Sequence, residues 1–85
     1  MPEISRFFGI AIALYYRDCV RPQFSALAGP FSVVVDVETG AVAGHFPPRA
    51  LGLVLEWRQR YVEELLENWA RAEARRPLRA VPPLE

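Results

Sequence analysis

Residues 48–75, PRALGLVLEWRQRYVEELLENWARAEAR, are long and periodic enough to predict one extended helix, and the fold follows from what must cover it. With Leu51 as reference and 100° per residue, Val54, Leu55, Val62, Leu65, Trp69 and Ala72 fall within about 60° of one line, the stripe of a core-facing helix. Arg58 falls inside the stripe. Glu56, Arg60, Glu63, Glu67 and Arg71 occupy the far side, with Glu56 to Arg60 and Glu67 to Arg71 in the favourable acid-first order of a solvated face. A second row, Leu53, Trp57 and Tyr61, lies on a flank outside the stripe and needs a cover of its own. A tryptophan among apolar neighbours is a common interface anchor, so this row is a candidate partner-binding contact, with another protein or a second copy of the chain. The alternative is that the C-terminal tail doubles back over it through Leu78, Val81 and Leu84. An unbroken helix here is about 40 Å long and sets the length that a sheet has to match.

Working outward, Pro47-Pro48 fixes the backbone where a helix begins, at positions whose amides have no intrahelical partner. Upstream, Phe31, Val33, Val35 and Val37 alternate with Ser32, Val34, Asp36 and Glu38 in the most β-branched part of the chain, which predicts a strand. Thr39-Gly40 supplies a turn, and residues 41–44 return antiparallel. Gly29-Pro30 is a turn dipeptide, preceded by an extended segment over residues 23–28. Residues 4–16 alternate between large and small side chains, predicting one strand of about 43 Å whose large face lies along the helix and whose small face is free to accept a second layer. Downstream, Pro77 ends the helix, and Pro82-Pro83 hold the remainder extended against the body. The expectation is one α+β domain over residues 1–85: an antiparallel sheet of three to four strands, one long C-terminal helix packed across it, and an extended tail.

The chain has 85 residues and no net charge. A domain of this size buries only about 60 to 65% of its unfolded surface, so association with a second chain would help it. Ten positive side chains, all arginine, against ten acids leave no broad basic footprint, which makes nucleic acid an unlikely partner. A single cysteine, Cys19, precludes an internal disulfide and points to a reducing compartment. The apolar run over residues 7–16 is too short to span a bilayer and fails as a signal sequence, because Glu3 offsets Arg6 before it. A cytoplasmic protein without membrane attachment is expected.

Little here suggests chemistry. Cys19 and His45 are the only pair from which a nucleophile and its base could be drawn, and a small filler with a surface imidazole explains them equally simply. Asp36 and Glu38, with Asp18 or His45, have the residue types of a hard-metal site, but acids flanking a hairpin turn are commonly just solvated. No catalytic residue, metal ligand or cofactor site is therefore assigned. Arg71, Arg75, Arg76 and Arg79 cluster at the helix end, where cations complement the dipole, and are the candidate phosphate contacts.

Residues 1–10 (MPEISRFFGI), 15–18 (YYRD), 36–40 (DVETG), 49–51 (RAL) leading into 55–57 (LEW), and 65–69 (LLENW), with the closing 77–78 (PL) and 83–85 (PLE), together resemble the bacterial family catalogued as domain of unknown function 4160. The resemblance implies a compact stand-alone protein, often encoded beside another small protein in an arrangement like a toxin and antitoxin pair. It also implies a histidine-rich loop, His-Asn-Pro-Pro-His-Phe-His, where this chain has Cys19-Val20-Arg21-Pro22-Gln23-Phe24-Ser25. Pro22 and Phe24 remain, while Cys19, Gln23 and Ser25 stand in the histidine positions. Three imidazoles so spaced could bind metal or move protons, and Cys, Gln and Ser cannot replace them as a set. The expected function is a non-enzymatic protein-interaction subunit, with a histidine- or metal-dependent ribonuclease-like toxin or its inactive remnant as one alternative and a nucleic-acid-binding regulator as another.

Overall fold

The computed structural model describes residues 2–85; Met1, where the resemblance begins, lies outside them. Five strands, β1 (Glu3–Phe7), β2 (Ile10–Ala13), β3 (Gln23–Ala28), β4 (Phe31–Asp36) and β5 (Val42–His45), are followed by helices α1 (Pro48–Arg60) and α2 (Val62–Glu73). The strands form one sheet in chain order, each antiparallel to the next. The chain is α+β, but the expected three to four strands and single long helix are replaced by five strands and two shorter helices.

The extra strand comes from residues 4–16, which form a hairpin. Phe8 and Gly9 have φ of 49° and 77°, and Phe7 pairs with Ile10 across them. Two central residues at positive φ give the tight turn whose twist matches that of a sheet. The sequence hides it because Phe occupies a position that Asn, Asp or Gly usually fills. An irregular register between Glu3 and Ser5 further disturbs the alternation, so that Ile4, Phe7, Ile10, Ile12 and Leu14 all reach the core while Arg6 and Phe8 stay outside.

The long helix breaks at Tyr61, whose backbone sits at φ −121° and ψ 30°. Its amide is shared between the carbonyls of Trp57 and Arg58, each at 3.1 Å, and the helical pattern restarts with Leu65 donating to the Tyr61 carbonyl at 3.0 Å. An unbroken helix of about 40 Å would overrun a molecule whose longest extent is 34 Å. Both halves bury residues on the sheet side, Val54 and Trp57 from α1 and Leu65 and Trp69 from α2, while Asn68 of α2 is buried against the tail. No glycine or proline marks it, so the sequence carries no local signal.

The core is the helix side of the sheet, Ile12, Phe24, Ala26, Val33 and Val35 among others, packed against Val54, Trp57, Leu65 and Trp69. Val81 and Leu84 of the tail complete it. The tail is fastened along its length, from Arg71 donating to the Pro77 carbonyl at 3.4 Å to three closer attachments. The Val81 amide donates to the Ile4 carbonyl at 2.8 Å, Trp57 Nε1 donates to the Pro82 carbonyl at 2.9 Å, and Asn68 exchanges two hydrogen bonds with the Arg79 backbone at 2.8 and 2.9 Å. Both helices and the tail thus lie on one face of the sheet, and the tail also meets the β1 edge. By register the other face carries Ala11, Ala13, Ser25, Leu27, Val34 and Ala43; Ala11 and Ala13 are buried, Ser25, Leu27 and Val34 are half-buried, Ala43 is exposed, and no helix or strand of residues 2–85 crosses this face. The Glu3–Arg6 ion pair, opposite Ala13 and Ala11, borders it on the β1 side.

Candidate functional site: the open face of the sheet

The open face is concave where its middle strands carry small side chains. Ser25 pairs with Val34, and buried Ala13 lies on the far side of Ser25, so the floor is low across β3 and β4. Tyr15 and Arg17, from the segment leaving β2, rise beside it. The resulting groove, of about 350 Å³, is lined by Tyr15, Arg17, Gln23, Phe24, Ser25 and Val34. Its polar groups are a phenol, a guanidinium, an amide and a hydroxyl. Amide and hydroxyl side chains do not titrate near neutrality, so Gln23 and Ser25 offer recognition by hydrogen bonding rather than proton transfer. Of the three positions where the resemblance implies histidine, Gln23 and Ser25 line the groove, and Cys19 is exposed in the preceding turn at φ 66°.

The other expected sites are dispersed or engaged. His45 sits opposite Ser32, about 13 Å along β4 from the Asp36 end beside which the Cys19 loop runs through the Val37 amide bond to the Pro22 carbonyl. Cys19 and His45 are therefore not brought together. Asp36 and Glu38 are held by Arg21, at 2.8 and 3.4 Å. Removal from water pushes the Asp36 carboxyl up, but the Thr39 amide, the Arg21 guanidinium and the Glu38 amide outweigh it and hold the group below its ordinary value. Arg58, the charge inside the helix stripe, donates to the carbonyls of Val37 and Glu38 at 2.8 and 2.9 Å and so pins the same turn from the other side. Among the described residues no cluster of three or more His, Cys, Asp or Glu is placed to hold a metal ion. Near the loop start, the Tyr16 hydroxyl donates to Asp18 at 2.9 Å, and that bond, burial and the charges of Asp18 and Glu73 push its pKa up to about 12.

In the row Leu53, Trp57 and Tyr61, Trp57 is fully buried among Phe7, Phe24 and Tyr61 and bonded to the tail, while Leu53 and Tyr61 are half-buried against the core. The chain itself thus covers Trp57, while Leu53 and Tyr61 keep part of their surface accessible. Of the arginine cluster, Arg71 and Arg79 converge on Glu67 at 3.6 and 3.8 Å, leaving Arg75 and Arg76 exposed in the turn after α2. Tyr15, Arg17 and Val34 did not emerge from the sequence as a group. The one signal that pointed to them was the small-residue face of residues 4–16.

Among the described residues no helix is long and apolar enough to cross a membrane. No curated protein and no solved structure matches the chain. A family model described as Domain of unknown function (DUF4160) matches residues 9–70, a span that includes all five strands except β1, together with α1 and most of α2. The match takes in every residue lining the groove, and the chain belongs to that family.

Proposed function

We propose that this protein is a non-enzymatic protein-interaction subunit that receives a polypeptide partner on the open face of its sheet. The observation that carries this reading is the asymmetry of the sheet: α1, α2 and the tail all pack on one side, while the other side keeps a shallow groove with an apolar floor and a rim of hydrogen-bonding groups. A groove of that volume on an open surface suits a few side chains of an extended segment better than an enclosed small molecule. The partner proposed is a small protein encoded alongside, the arrangement that the resemblance implies for the family.

The test is affinity purification of the tagged protein from its own cell. Wild type and Arg60→Glu, which changes an exposed helix residue, are expected to bring down one defined protein, and Val34→Glu is expected to lose it while keeping the wild-type circular dichroism. Equal recovery by all three would contradict the assignment of the face.

One observation favours a second reading, a remnant of a ribonuclease-like toxin: two of the three positions at which the family implies histidine line the groove. In this chain those positions hold Gln23 and Ser25, so total RNA incubated with purified protein and divalent metals is expected to stay intact. Cleavage that disappears in Cys19→Ala or His45→Ala would establish the catalytic reading instead.

A further inference from the structure

We propose that the groove on the open face is selective for carboxylates, seating an acidic side chain of an extended partner segment on Arg17. This inference rests on the interaction reading above and names the chemistry of the partner. Every polar side chain lining the groove can donate a hydrogen bond, namely Tyr15, Arg17, Gln23 and Ser25, and none is a carboxylate. The nearby acids are already occupied. Glu3, opposite Ala13, holds Arg6 at 2.8 Å; Asp36, opposite Gln23, holds Arg21 at 2.8 Å and accepts from the amides of Glu38 and Thr39; Asp18 accepts from Tyr16.

Arg17 differs from most arginines of the chain. Arg6, Arg21, Arg60, Arg71 and Arg79 each reach a carboxylate, and Arg58 is bound to backbone carbonyls, whereas Arg17 has no ion-pair partner among the described residues. Arg17, exposed like Arg49, Arg75 and Arg76, differs from them in lining the groove on the sheet, beside three neutral donors. A planar guanidinium matches a carboxylate with two parallel hydrogen bonds. Val34 on the floor suits the methylene stem of a glutamate. A nucleic-acid strand is the poorer occupant, because binding a phosphate backbone draws on several cations, the groove holds one, and the chain carries no net charge.

The experiment titrates the full-length, isotope-labelled protein, followed by amide resonances, with three probes. These are a capped peptide of alternating Glu and Thr, its Gln and Thr counterpart, and an oligouridylate of matching length. The acidic peptide is expected to shift the amides of residues 15–17, 23–25 and 34, and to bind roughly tenfold more tightly than the neutral one, the effect of one charge-assisted hydrogen-bonded pair. Arg17→Gln should remove that preference with the rest of the spectrum unchanged, and Arg49→Gln should retain it. Equal binding of the two peptides at the groove would overturn the carboxylate preference while leaving the interaction reading standing. Tighter binding of the oligouridylate would overturn both, and peptides that leave the groove resonances unmoved would overturn the proposal.

Discussion

Asn68 is 1% exposed and carries a large share of the tail attachment, since its side chain both donates to and accepts from the backbone of Arg79. Asn68→Ala leaves one amide and one carbonyl in a part-buried site without partners, an expected loss of about 2 to 3 kcal/mol in urea unfolding. Arg75 presents the opposite case. Its φ is 59°, its amide donates to the Ala72 carbonyl, and the Arg76 amide donates to the Arg71 carbonyl, the paired bonds of a helix end that glycine usually occupies. Arg75→Gly is expected to raise stability by up to about 1 kcal/mol, because the exposed guanidinium contributes no contact that offsets the left-handed backbone. Residues of this kind were hard to read in advance. Asn68 falls among apolar neighbours as one more polar residue, and its function as a clamp exists only once the tail returns to it.

At the scale of elements, the hairpin from β4 to β5 was legible because its valines alternate and Thr39-Gly40 names the turn, with Gly40 at φ 79° as a tight connection requires. The hairpin from β1 to β2 was not, because Phe8 imitates a strand residue while adopting a turn conformation. The break at Tyr61 was invisible for a different reason: no glycine or proline marks it, and its backbone departs from helix at a residue whose neighbours continue the apolar period. The β4–β5 turn also yields a pH prediction. The Asp36 carboxyl is held below its ordinary value by the Thr39 amide, Arg21 and the Glu38 amide against an opposing desolvation, so the ionised group stabilises the fold above its unfolded pKa, and that contribution is lost as pH falls through the lower folded value. The stability gap between wild type and Asp36→Asn in urea titrations should be constant from about pH 5 to 7 and narrow below about pH 4. A gap that stays unchanged into strong acid would show that the carboxylate is not what holds the turn.

For the molecule as a whole, the tail is part of the core. Val81 and Leu84 are buried, each worth about 1.5 to 3 kcal/mol, and Pro82 receives the Trp57 indole. A domain of this length has roughly 4 to 13 kcal/mol in total, so truncation after Arg76 is expected to leave a chain that has lost cooperative unfolding and shows red-shifted tryptophan fluorescence. With the tail in place Trp57 is covered from within, while Leu53 and Tyr61 stay half-buried, and the sheet face opposite the helices, read from sequence as ready for a second layer, is crossed by no helix or strand of residues 2–85. A partner on this face would leave a direct trace in hydroxyl-radical footprinting of the isolated chain and of the complex recovered from its own cell: Tyr15, Leu27 and Val34 are expected to be protected in the complex with Leu53 and Tyr61 unchanged, whereas protection of Leu53 and Tyr61 with an equally reactive open face would place the partner elsewhere.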